Sequence, residues 1–165
     1  MAKFKTIFKK MEKFLSTDTP RESLCGFYVE LHDDGYNATV TATNGHILCS
    51  HTLLVDDLNF NLKLEYRTLP DLDKGNFVLY HNPKTAPNND NSLFNYDSVY
   101  PLYKNIIPQI HTMTKSSELG FNIMTEPKDA QIVCKAKDEF NMPRKLYPFD
   151  LATTTLGACI SKTED

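Results

Sequence analysis

At 165 residues, with 41% hydrophobic residues, 10 Phe and 8 Tyr, the chain is long enough to bury a core and reads as one folded domain over 1–165. A formal net charge of -3 argues against a protein that simply coats nucleic acid, while leaving room for one basic face. No apolar run approaches the length of a membrane span, and the first residues do not read as a secretory leader, so a cytoplasmic protein without a membrane partner is expected.

The first element is an amphipathic helix over Phe4–Leu15. Phe4, Ile7, Phe8, Met11, Phe14 and Leu15 follow helical spacing on one stripe. Lys5, Lys9, Lys10 and Lys13 lie opposite, with Lys3 at the edge and Glu12 as the only acid. Ser16–Pro20 ends the helix.

A three-stranded antiparallel meander follows over Cys25–Val55. Cys25–Leu31 has the aromatic and β-branched content of a strand. Asp33-Asp34-Gly35 makes a turn, and Asn37–Ala42 alternates as a half-buried strand. Asn44-Gly45 predicts a two-residue type I′ hairpin, because both central residues of that turn need positive φ. Ile47–Val55 is the return strand.

Phe60–Tyr66 alternates Phe60, Leu62, Leu64 and Tyr66 against polar neighbours, which predicts another strand. Phe77–Tyr80 is a short one. Pro83–Asn95, rich in Asn and Pro, reads as a mobile surface loop. Tyr100–Pro108 is a proline-bounded apolar connector. Leu119–Met124 and Gln131–Ala136 are further candidate strands. Pro148–Ile160 suggests a final helix with Asp150 as N-cap.

Two segments carry a family resemblance. Val40-Thr41-Ala42-Thr43-Asn44-Gly45-His46-Ile47-Leu48 is similar to the strand-turn-strand signature of bacterial-type DNA sliding clamps. Tyr100-Pro101-Leu102-Tyr103-Lys104-Asn105-Ile106-Ile107-Pro108 resembles that family's connector, with Leu102 and Asn105 departing from its pattern. The helix and the strand from Gly26 precede the signature in the family's order. The match is best over 1–108, and 109–165 is unassigned. The resemblance implies an α+β, DNA-clamp-like fold in which an amphipathic helix packs on an antiparallel sheet, with about two helices and seven or more strands. It also implies that the helix layer meets duplex DNA non-specifically, through Lys3, Lys5, Lys9, Lys10 and Lys13. DNA polymerase or another replication protein is the expected partner, together with further copies of the chain. A family subunit carries three domains, so a shorter chain needs greater oligomerisation to close a ring. The alternative is a clamp-mimicking interaction module that binds or blocks a replication or host-defence component. Compactness, acidity and the Asn-rich loop suit a virus-encoded protein.

The chemistry-bearing residues point away from catalysis. His32, His46, His51, His81 and His111 lack ligand spacing, and no acid or nucleophile is placed to act with His46. Asp33-Asp34 and Asp56-Asp57 read as turn residues. Cys25, Cys49, Cys134 and Cys159 are too widely spaced for a chelating loop and read as free thiols. No phosphate-binding glycine loop or nucleophile elbow is present. Neither a metal nor a cofactor is expected.

Overall fold

A computed structural model describes residues 4–17, 20–82 and 92–106, with 128, 129, 131, 132, 135, 147, 148, 159 and 160. The chain divides into two compact units, Met1–Tyr100 and Pro101–Asp165. The fold is α+β.

The first unit runs α1 (Ile7–Met11), β1 (Gly26–Leu31), β2 (Asn37–Thr43), β3 (Leu48–Leu54), α2 (Val55–Tyr66), β4 (Phe77–Tyr80) and β5 (Phe94–Asn95). The strands form one antiparallel sheet in the order β3-β2-β1-β4-β5. The predicted meander is β1 to β3, in register from Tyr28 opposite Thr41 to Thr41 opposite Ser50.

Strand alternation gives the sheet two different faces. Phe27, Val29, Val40, Ala42 and Leu79 are fully buried. Phe8 of α1 meets Phe27 edge to face at 5.2 Å and Tyr66 of α2 at 5.4 Å, so both helices lie on the Phe27 face. Ile7, Met11 and Phe14 from the first segment, and Leu58 and Leu62 from α2, are buried with them. The other face is rich in hydroxyls. Thr39 bonds Thr52 at 2.8 Å, Thr41 bonds Ser50 at 3.1 Å, and Tyr28 stacks on Tyr100 at 4.7 Å. Gly26 lets β1 and β4 approach closely: a Cβ there would lie 2.5 Å from Val78 Cγ1 and 2.9 Å from the Leu79 carbonyl oxygen.

Several elements differ from their sequence patterns. The first helix begins at Ile7, not Phe4, because Thr6 is extended and its hydroxyl accepts the Lys9 N–H as an N-cap. It tightens into a 3₁₀ turn over Glu12–Phe14 and stops where Leu15 turns extended. Phe4 therefore leaves the core stripe and stands exposed. Thr43 pairs with Leu48, which leaves a four-residue loop instead of a type I′ turn. Only Gly45 takes positive φ there, at 92°. Side chains replace the missing turn geometry: Asn44 Oδ1 accepts from the His46 and Ile47 amides, and the Thr43 hydroxyl donates to the Ile47 carbonyl. The Asp34 turn does form. Its carboxylate accepts from Asn37 Nδ2 and from the Tyr36 and Asn37 amides, which hold it below the usual carboxylate range.

The largest departure is Phe60–Tyr66, which is the second half of α2 and not a strand. Asp56 and Asp57 in its first turn and Lys63 in its last match the helix dipole. Arg67 closes it in the left-handed conformation, donating its amide to the Lys63 carbonyl. Within the predicted loop, residues 83–91 lie outside the described residues, whereas Phe94–Asn95 pairs with β4.

In the second unit, Tyr103–Ile106 forms a 3₁₀ turn within the connector. The predicted strand Leu119–Met124 lies outside the described residues. Lys128, Asp129, Gln131, Ile132 and Lys135 are helical, which replaces the predicted strand over Gln131–Ala136. Exposed Lys128, Gln131 and Lys135 recur at helical, not strand, spacing. The predicted final helix also gives way at its ends: Tyr147–Pro148 (β6) pairs antiparallel with Cys159–Ile160 (β7).

Candidate nucleic-acid interface

The predicted basic face is present in part. Lys5, Lys9 and Lys13 are exposed, Lys10 is half-buried, and Lys3 lies outside the described residues. The turn that holds them is fixed by a polar lock to α2. Asn61 Oδ1 accepts the Ile7 N–H at 2.9 Å, while Asn61 Nδ2 donates to the Asp57 carbonyl at 2.8 Å. The Thr6 hydroxyl donates to Glu65 at 2.8 Å. A helix of five residues would not persist alone, so this lock and the Phe8 contact set where the lysines stand.

The charges are not all alike. Glu12 reaches Lys9 Nζ at 3.0 Å, and this bond raises the Lys9 pKa. Lys9 stays charged but is partly neutralised as seen from outside. Such a pair at the surface contributes little to stability. Lys10 lies near enough to His51 of β3 to help lower its pKa, although removal of water from the protein-facing side of that ring is the larger cause.

The sequence pattern missed the contribution of α2. Lys63 and Arg67 are exposed on the same helical layer, hidden from prediction because their segment alternates like a strand. The acid-first, base-last charge pattern of 56–67 was the available signal. Asp56 and Asp57 are exposed on the layer as well. So are Phe4, Phe60 and Leu64, and the Phe4 and Phe60 rings meet edge to face at 6.1 Å.

One further group joins the layer to the sheet. Glu12 accepts from His81 Nε2 at 3.1 Å, and His81 Nδ1 meets the Tyr66 hydroxyl at 2.9 Å. Nε2–H donating to Glu12 and the phenol donating to Nδ1 satisfies all three groups. The order carboxylate, imidazole, hydroxyl has the form of a catalytic relay. Burial, with Glu65 and Glu12 nearby, pushes the Tyr66 phenol well above its ordinary range, which keeps the proton it donates to His81. A small cavity lined by Leu31, His32, Asn37, Val55 and Leu72 contains none of the three.

His46 is exposed at the loop tip. The Cys25 thiol donates to the Arg21 carbonyl, and burial pushes the Cys49 thiol up to about 12, far from a reactive thiolate. Among the described residues, no three His, Cys, Asp or Glu side chains converge to hold a metal, and no helix is long and apolar enough to cross a membrane.

No family model, curated protein or solved structure matches the chain.

Proposed function

We propose that this chain is a non-enzymatic, sliding-clamp-like replication accessory protein that self-associates on duplex DNA and tethers a polymerase or another replication protein. The observation that carries the reading is the exposure of Lys5, Lys9 and Lys13 on a helical layer backed by an antiparallel sheet. Lysine is a compact point charge on a flexible stem, suited to sequence-blind phosphate contacts that exchange as the protein moves. The Ala42–Leu48 hairpin and the Tyr100–Pro108 connector supply the family resemblance.

A second reading rests on a separate observation. Phe4, Phe60 and Leu64 stand exposed on that same layer beside Asp56 and Asp57. Apolar and acidic groups suit a protein partner better than a phosphate backbone, which favours an interaction module. Sedimentation with and without a labelled duplex separates the two. The first reading expects complexes holding two or more copies per duplex. A chain that stays strictly monomeric in both conditions contradicts it.

A further inference from the structure

We propose that a second copy of this chain docks on the outer stripe of α2, helix against helix and antiparallel about a two-fold axis. Asp57, Phe60 and Leu64 follow one another at i, i+3 and i+7, the spacing of a single helix-packing seam, and Arg67, the left-handed cap, stands one turn beyond Leu64 at the end of that helix. All four are exposed, Phe60 at 57% and Leu64 at 53%, while Leu58 and Leu62 fill the core on the other side. The seam is apolar at its centre, acidic at its start and basic at its end.

That order is self-complementary in one orientation only. Turning a second α2 antiparallel sets Asp57 against Arg67 of the second copy and Phe60 against its Leu64. The two-fold axis then repeats both pairs, as a closed isologous contact requires. A parallel pair would set acid on acid and base on base. Asp57 and Arg67 are in none of the ion pairs among the described residues. Phe4, packed on Phe60, widens the apolar centre.

The contact is small. At about 1.5 Å per residue α2 is roughly 18 Å long, short of what a standard interface of about 800 Å² per partner needs. Lys63 flanks the seam near the axis, where two copies bring like charges together. A weak dimer follows, forming over roughly tens to hundreds of micromolar rather than at nanomolar concentration. It covers the apolar stripe of α2 that the second reading assigns to a protein partner and does not use Lys5, Lys9 or Lys13, so loss of the dimer and loss of DNA binding are read by different variants.

The experiment is sedimentation velocity of the full chain over a concentration series without DNA. Wild type should shift from monomer to dimer. Phe60→Ser with Leu64→Ser, both at exposed positions, should keep the fold by circular dichroism and raise the dissociation constant at least about tenfold. Asp57→Arg alone and Arg67→Asp alone should each weaken the dimer, and the two together should return it to within about threefold of wild type. Asp tolerates the left-handed backbone at that cap. A chain monomeric to about 0.5 mM, or a dimer indifferent to the charge reversals, overturns the proposal.

Discussion

Phe8→Ala is expected to destabilise the protein by about 3–5 kcal/mol, the usual cost of emptying an aromatic site in a packed core. Phe8 is fully buried and joins three elements at once: its own helix, Phe27 of β1 and Tyr66 of α2. The cavity would open where the helix layer meets the sheet. Since domains of this size are stable by roughly 5–15 kcal/mol, the loss is a large share of the total. Urea unfolding followed by circular dichroism reads it as a lower midpoint with an unchanged slope. A midpoint that barely moves would show that the layer is not anchored through this ring.

Asn61→Leu should cost about 1–3 kcal/mol although it keeps side-chain size. The amide oxygen of Asn61 takes the N–H of Ile7, one of the first-turn donors that no helical carbonyl can satisfy. Leucine removes that acceptor and leaves the N–H facing an apolar group. The loss should be local as well as global. Hydrogen exchange at the Ile7 amide should speed up more than exchange at core strand amides such as Val29. Equal acceleration at both would mean that Asn61 supports the fold generally and does not hold α1 in place.

These two residues also show what was legible in the sequence. The order and antiparallel direction of the β1–β3 meander were, because alternation over Asn37–Ala42 and the turn residues at 33–35 mark its strands, whereas the two-residue turn expected at Asn44-Gly45 did not set the β2–β3 register. The α1 lysines were legible too, since helical spacing places them away from Ile7, Phe8 and Met11. The cap at Thr6 was not, because Thr6 lies inside an unbroken apolar pattern and its role depends on Glu65, far along the chain. Segment 60–66 misled for a physical reason. Phe60, Leu62, Leu64 and Tyr66 alternate as a strand would, yet on a helix they divide into an inner pair, Leu62 and Tyr66, and an outer pair, Phe60 and Leu64. A helix apolar on two faces imitates strand periodicity. The outer face that spoils the pattern is the one proposed to meet a second copy. The Glu12–His81–Tyr66 clasp could not be read at all, since three separate elements bring it together.

The proposed function stands most directly on whether Lys5, Lys9 and Lys13 meet phosphates. Fluorescence anisotropy of a random duplex, titrated with wild type and with the triple alanine variant between about 50 and 200 mM salt, measures this. Wild type should bind with an affinity that falls steeply as salt rises. If each lysine contacts one phosphate, the triple variant should bind more weakly and its log–log slope should be shallower by roughly 2–3 units. No binding by wild type, or equal slopes for the two proteins, would contradict a DNA-facing helix layer and leave the interaction module as the account of this surface.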